Sequence, residues 1–354
     1  HVSDFLTALF LVFLVLGMMR LVFMYVLTFR EKRAENRRNY APIDAATAPA
    51  VSIIVPGYNE EVNIVRTITT LKQQDYPNLH IYFVDDGSKD HTLERVREAF
   101  DTDDKVTILA KKNGGKASAL NYGIAACRSE YVVCIDADTQ LKQDAVSRLM
   151  KHFIADKDKR IGAVAGNVKV GNQRNMLTYW QAIEYTSSQN FDRMAYSNIN
   201  AITVVPGAIG AFRKEVIEEV GGFTTDTLAE DCDLTMSINE HGYIIENENY
   251  AVAMTEAPET LRQFVKQRIR WCFGVMQAFW KHRSSLFSPS KKGFGLWAMP
   301  NMLIFQYIIP TFSPLADVLM LIGLFTGNAL QIFFYYLIFI FNFIIFTSKS
   351  FIEI

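Results

Sequence analysis

The stretch "YVVCIDADTQL" (Tyr131 to Leu141) decides how the chain is read. Tyr131-Val132-Val133-Cys134-Ile135 is a short apolar, β-branched run, the composition of a strand covered on both faces in a parallel sheet. Two carboxylates, Asp136 and Asp138, follow at once. Like charges that close raise each other's cost of ionisation, so the pair needs water at an open strand end or a bound cation.

The same plan recurs toward the N-terminus. "VSIIVP" from Val51 is a predicted strand, followed by Asn59 at an N-cap position, Glu60 and Glu61 in a predicted first helical turn, and Ile64, Ile68 and Leu71 at helical spacing. "LHIYFVDDGS" predicts a strand from Leu79 to Val84, then Asp85 and Asp86, then a turn at Gly87-Ser88. "KVTILAKKNGGKASALNYGIAA" predicts a third strand, a glycine turn and a helix. This alternation defines an α/β fold with helices on both faces of the sheet. Ligands in such sheets gather beyond the carboxyl ends of the strands, where Asp85, Asp86, Lys116, Asp136 and Asp138 all fall.

The 354 residues carry 36 basic and 37 acidic side chains, a balance that argues against nucleic acid as a partner. Cys127, Cys134, Cys232 and Cys272 have no paired spacing, which disfavours a disulfide scaffold or a structural zinc site and points to a reducing compartment. Phe5 to Thr28 is long and apolar enough to span a bilayer, with Arg20 as its single charge. No small-residue cleavage site follows, so a signal peptide is the weaker reading. "REKRAENRR" comes next and orients that end toward the cytosol. Gly295 to Thr326 and Ala329 to Thr347 read as two further spans about a Gly327-Asn328 turn, with Asp317 facing a pathway or a neighbouring helix. The region from 295 to 354 is expected to be an incomplete set of spans.

Six ordered segments carry a resemblance: "VPGYNEE" (Val55 to Glu61), "VDDGSKDHT" (Val84 to Thr92), "NGGKASALNYG" (Asn113 to Gly123), "DADT" (Asp136 to Thr139), "AEDCDLT" (Ala229 to Thr235) and "QRIRW" (Gln267 to Trp271). Together they resemble a processive family 2 glycosyltransferase, the GT-A group that contains cellulose, chitin, hyaluronan and poly-N-acetylglucosamine synthases. The resemblance runs from about Val51 to Trp271. It implies a Rossmann-like GT-A mixed sheet flanked by transmembrane helices and an amphipathic interface helix. The expected boundaries are a transmembrane helix at 1–29, a basic cytosolic linker at 30–50, the GT-A domain at 51–258, the interface helix and linker at 259–294, and transmembrane helices at 295–354.

The resemblance also assigns roles. Asp85 and Asp86 would meet the uracil and ribose of a UDP-sugar, against a capped turn as the alternative. Lys116 would approach the diphosphate, against an ordinary surface lysine. Asp138 and Asp136 would hold Mg²⁺ or Mn²⁺. Asp231 would be the general base with Glu230 supporting it, and Asp233, two residues along a helix, would face away. Ala229 stands where the family usually has threonine. Arg270 would reach the diphosphate, Trp271 would underlie the acceptor sugar and Gln267 would hydrogen-bond nearby. In "VVPGAIGAFRKE" (Val204 to Glu215), Gly207 and Gly210 would let backbone approach the acceptor, against a buried strand. On Glu259 to Arg283, a stripe of Leu261, Phe264, Val265, Cys272, Val275, Met276 and Phe279 among basic residues suits a membrane-interface helix.

These features predict an inverting processive transferase in the bacterial plasma membrane, its catalytic domain cytosolic. It would extend a polysaccharide from a UDP-sugar, UDP-GlcNAc for a poly-β-1,6-N-acetylglucosamine product, and extrude it. Hyaluronan, chitin or cellulose synthesis and a non-processive transfer to a lipid carrier are the enzymatic alternatives; a scaffold that keeps the fold without catalysis is the non-enzymatic one. Few spans for a polymer channel point to an accessory membrane subunit or a homo-oligomer, with membrane lipids as further partners.

Overall fold

The computed structural model describes residues 2–312 together with Pro314, Val318, Leu321, Phe333 and Leu337, and the side chains of these except at 2–10, 13, 188 and 189. Asp317 and the Gly327-Asn328 turn lie outside the described residues, as does most of the region expected to form the last two spans. The chain opens with α1 (Val2–Glu35), a 34-residue helix. The basic run from Arg30 therefore begins inside the helix rather than in a linker.

Strand β1 (Val51–Gly57), helix α2 (Ile64–Lys72), β2 (Leu79–Asp85), α3 (Thr92–Phe100), β3 (Val106–Ala110), α4 (Lys116–Ala126) and β4 (Tyr131–Cys134) form the expected alternation. Then come β5 (Gln140–Leu141), α5 (Ala145–Ala155), β6 (Ile161–Val170), α6 (Met176–Tyr185), a π-helical segment (Thr186–Asp192), α7 (Arg193–Asn198), β7 (Gly210–Arg213), α8 (Lys214–Glu219), α9 (Glu230–Glu240), β8 (Ile244–Thr255) and α10 (Leu261–Lys281). One eight-stranded sheet runs in the order β3-β2-β1-β4-β7-β6-β8-β5. Strands β1 to β4 are parallel, β7 is antiparallel to both neighbours, and β5 runs antiparallel to β8. The sheet is thus mixed, as expected.

Alternation along the inner strands divides the core. Val51, Ile53 and Val55 of β1 and Tyr131 and Val133 of β4 face Ile64, Ile68 and Leu71 of α2 and Leu149 and Phe153 of α5. Ile54, Val132 and Cys134 face Leu120 and Ile124 of α4 and Leu234 and Ile238 of α9. Each such fully buried aliphatic side chain stabilises the fold by about 1.5–3 kcal/mol.

One local expectation is corrected. Asn59 does not cap α2: it lies at φ +57, its Oδ1 accepts the Lys89 N–H at 2.8 Å, and α2 starts later, behind Asn63. Glu60 and Glu61 therefore occupy the turn before the helix, where they reach across to Thr92 and Asp90.

Two polar joints tie α1 to the domain. Arg20 is buried; its Nε donates to Asn301 Oδ1 at 2.7 Å, and it pairs with Asp192 at 3.8 Å. At the other end Arg38 pairs with Glu31 at 2.9 Å and with Glu246 of β8 at 3.3 Å. Along α1, Leu11, Val15 and Met19 before Arg20 and Val22, Val26 and Phe29 after it are exposed. Among the described residues no helix is long and apolar enough to cross a membrane.

Candidate active site

The parallel strands bring their carboxyl ends to one edge, and the acids arrive with them. Gly57 at the end of β1 is in register with Asp85 at the end of β2, and β4 hydrogen-bonds to β1 on the other side before delivering Asp136 and Asp138. Asp85 closes its own turn: Oδ2 accepts from the N–H groups of Gly87 and Ser88 at 3.1 and 3.2 Å. Its Oδ1 is buried with no partner among the described residues. Asp86 is saturated, accepting from Lys111 Nζ at 2.7 Å and from the N–H groups of Gly114 and Gly115 at 3.0 and 2.7 Å. Asp86 thus pins the glycine turn ahead of α4, which is the capped-turn alternative. Asp85 keeps one acceptor in reserve.

That turn aims Lys116. Gly115 sits at φ +86, a conformation open to glycine, and starts α4 at Lys116. Lys116 Nζ lies 2.5 Å from Asp136 Oδ1 and 3.3 Å from Glu230 Oε1. Desolvation by the surrounding chain opposes protonation, but Asp136, Glu230 and Asp231 outweigh that and hold the ammonium's pKa above its ordinary value. Gly207 makes room: a Cβ there would stand 2.6 Å from Lys116 Nζ. The "VVPGAIG" segment therefore lines the same cleft before running into buried β7.

Asp138 is less compensated. It takes a long hydrogen bond from Thr139 Oγ1 at 3.4 Å, and burial, then the charge of Asp136, push its carboxyl up to about 6. Glu60 is pushed up to about 7 by burial and then by Asp138, Asp136, Asp90 and Glu256. No three His, Cys, Asp or Glu side chains among the described residues form a protein-only metal cage. The donor set nonetheless fits a hard divalent cation, because a D-x-D pair short of positive charge needs only a diphosphate's oxygens to complete it.

Asp231 and Asp233 separate as their helix positions predict. Both lie in the first turn of α9, where the helix dipole favours carboxylates. Asp231 faces the cleft, and burial, then Glu230, raise it to about 6 against the pull of Lys116. Asp233 points the other way, into His282 Nε2 and Lys281 Nζ, each at 2.9 Å. Burial opposes its charge, but those donors with Thr224 hold it down to about 2. His282 also meets Glu240 at 2.8 Å, and the two carboxylates overcome burial to raise it to about 9. Asp233 is a structural tie between α9 and the end of α10.

Helix α10 starts at a capping box of Thr260 and Gln263. Its inner stripe is Phe264, Gln267, Arg268, Trp271, Gly274, Ala278 and Phe279, half-buried or buried at three- and four-residue spacing. Its outer stripe is Leu261, Val265, Ile269, Phe273, Met276 and Trp280, all exposed. The stripe expected from sequence mixed the two faces. Trp271 packs against Tyr185 with ring centroids 6.2 Å apart and planes tilted by 35°, and burial pushes the Tyr185 hydroxyl up to about 12 against the charge of Arg268. Gln267 keeps a buried Oε1 with no partner among the described residues. Arg270 is exposed, and no ion pair joins it to the acids among the described residues. The engaged arginine is Arg268, bidentate to Glu184 at 2.7 and 2.6 Å and 4.6 Å over the Trp271 ring.

Glu60, Tyr185 and Arg268 were thus missed from sequence. Arg193 was too: it is buried, donates to the Gly166 carbonyl at 2.8 Å, and is pulled down to about 9 by burial despite the opposing charge of Asp231. Only the basic residue inside the "RIRW" wording offered a signal, for Arg268.

The mixed sheet thus carries paired acids at the ends of its parallel strands. Residues 52–221 match the glycosyl transferase family 2 model. The chain is 31% identical over 256 residues to the poly-beta-1,6-N-acetyl-D-glucosamine synthase of Staphylococcus epidermidis, covering 71% of this chain and 62% of that one. It is 32% identical over 260 residues to the synthase of the same name from Staphylococcus aureus strain COL, covering 73% and 61%. The chain therefore spans less than two thirds of these relatives. A mannosyltransferase from Pyrobaculum calidifontis, solved with GDP-Man and Mn2+, superposes with a TM-score of 0.61 at 23% identity over 95% of this chain and 97% of that one, a likeness of fold.

Proposed function

We propose that the chain is an inverting, processive glycosyltransferase that adds GlcNAc from UDP-GlcNAc to a growing poly-β-1,6-N-acetylglucosamine chain at a membrane surface. The observation that carries this reading is the convergence on Lys116 of Asp136, which follows β4, and Glu230, which starts α9 beside Asp231. Residues 94 apart in sequence thus meet on one ammonium. The likeness to the staphylococcal synthases supports the donor and product.

In this reading Asp231 takes the proton of the acceptor hydroxyl as that oxygen attacks the anomeric carbon, the bond to UDP breaks, and configuration inverts. A carboxyl at about 6 is ionised at neutral pH yet basic enough for the task. Asp136 and Asp138 are the residues that would hold a divalent cation, Mg²⁺ or Mn²⁺, which when bound supplies Lewis-acid stabilisation of the charge developing on UDP. Asp85, through its spare Oδ1, would accept the uracil N–H. Asp86, spent on the turn, orders the glycine loop beneath the nucleotide. Arg270 would reach the diphosphate from solvent, and Trp271 with Tyr185 would form the acceptor's platform.

The exposed stripe of α10 and the apolar side of α1, which ends in Arg30, Lys32 and Arg33 with Arg37 just beyond, support a membrane-embedded α1 and an α10 lying in the cytosolic interface. The site would then sit just beneath the bacterial plasma membrane, with a partner or second copy completing a polymer path.

Offering radiolabelled UDP-GlcNAc, UDP-glucose and UDP-GlcA separately to membranes tests the donor. High-molecular-weight label from UDP-GlcNAc alone is expected. Label from another donor with none from UDP-GlcNAc overturns the assignment, and short lipid-extractable product favours transfer to a lipid carrier.

A further inference from the structure

Lys116 has more than a phosphate-binding lysine needs. Its ammonium is engaged by Asp136 at 2.5 Å and by Glu230 at 3.3 Å. The backbone leaves a hollow for it at Gly207, where an added Cβ would lie 2.6 Å from Nζ and 3.6 and 3.7 Å from the Asp136 oxygens. The other carboxylate of the D-x-D pair, Asp138, has no comparable partner: among the described residues its side chain meets Thr139. One acid is occupied by an internal cation and the other is left short of one.

We propose that Lys116 is a resident counter-ion that occupies Asp136 until a nucleotide diphosphate draws it away, so that divalent cation and donor bind as a coupled pair rather than cation first. This rests on the reading of the site as a nucleotide-sugar transferase. An ammonium on Asp136 takes lone pairs a hard cation requires and repels a second cation brought to the same carboxylate. Diphosphate oxygens offer the ammonium an alternative anion, and lysine's flexible four-carbon stem lets it change partners without moving α4. By linkage, the factor by which the nucleotide tightens the cation equals the factor by which the cation tightens the nucleotide. Gly207 is part of the device, because a side chain there would push the ammonium off Asp136 while leaving its charge in the cleft.

The test is Mn²⁺ binding to the purified full chain, read as loss of the free-ion EPR signal, with and without UDP. Wild type is expected to bind Mn²⁺ weakly alone and about tenfold or more tighter with UDP. Lys116→Met, with Lys116→Gln as a second neutral variant, is expected to bind Mn²⁺ alone about tenfold tighter and to show a correspondingly smaller UDP effect. Gly207→Ala, which keeps the charge, is expected to shift the same way, and Lys105→Met, exposed ahead of the amino end of β3 at the opposite edge of the sheet, to change nothing. Unchanged Mn²⁺ affinity in the Lys116 variants and Gly207→Ala, with wild-type coupling intact, overturns the counter-ion role and leaves the transferase reading standing. Failure of wild type to bind Mn²⁺ even with UDP overturns both.

Discussion

Gly274 of α10 lies against Ala229 at the start of α9, so close that a Cβ at 274 would come within 2.7 Å of the Ala229 nitrogen and 2.8 Å of its Cβ. This contact sets how near α10 comes to Glu230 and Asp231. Ala229, which stands where the family pattern has threonine, is buried in the same cluster as Ala278 and Phe279.

Gly274→Ala is accordingly expected to cost about 1–3 kcal/mol through overpacking and to lower turnover by displacing α10. A thermal melt and an initial-rate assay check it. Unchanged melting and rate would mean the helices part freely.

Asp231→Asn and Asp233→Asn should fail in different ways. The first is expected to melt near wild type and lose on the order of 10²–10⁴-fold in rate. The second leaves His282 and Lys281 facing a neutral amide and is expected to lose roughly 3–5 kcal/mol of stability. Melting curves and polymer yield on the same preparations separate the two.

The pH dependence has a definite sign at the cleft. Asp138 and Asp231 are both held above the usual 3.8, at about 6. The native fold is therefore best stabilised by these groups below 3.8 and loses that contribution as pH rises through about 6, while activity requires the ionised form. Rate should fall on the acid side of about 6, and Mn²⁺ with UDP should raise Tm more at pH 7.5 than at pH 5. A pH–rate profile and a ligand-shift melt measure both; an equal Tm gain at the two pH values would contradict the assignment.

The α9–α10 tie adds two further pH windows, one at each end of the range. His282, raised from 6.5 to about 9, contributes fully below 6.5 and is lost as pH rises through about 9. Asp233, lowered from 3.8 to about 2, contributes above 3.8 and is lost as pH falls through about 2. Tm is thus expected to fall by several degrees between pH 7 and 9.5, and His282→Gln to lower Tm at pH 7 and flatten that fall. Parallel slopes in both proteins would exclude the tie.

Arg268→Lys keeps a charge but loses the bidentate pair with Glu184 and the stacking on Trp271. Lower turnover and shorter polymer are expected, because the aromatic platform loosens. Arg270→Lys should instead raise KM for the donor. Kinetics with product sizing distinguish them.

Much of this was legible in the residues, for physical reasons. The inner strands are covered on both faces, so Val51–Pro56, interrupted only by Ser52, and Tyr131–Cys134 read as apolar runs, the second leading straight into Asp136 and Asp138. Helix α10 was not legible in detail because both of its faces are apolar: Phe264 and Phe279 meet the domain, while Ile269 and Phe273 meet solvent, and periodicity alone does not say which. Asn59 carries the composition of a cap, but the chain makes one more turn before α2 begins. Glu60 and Tyr185 join the cleft only through folding, since no sequence spacing links either to Asp138.

The most direct measurement is the structure of the full chain with UDP and Mn²⁺, with the anomalous signal of the ion located. The account predicts a peak held by Asp136 and Asp138, uridine against Asp85, and Asp231 open to the acceptor side. A peak and uridine lodged away from these residues would contradict it.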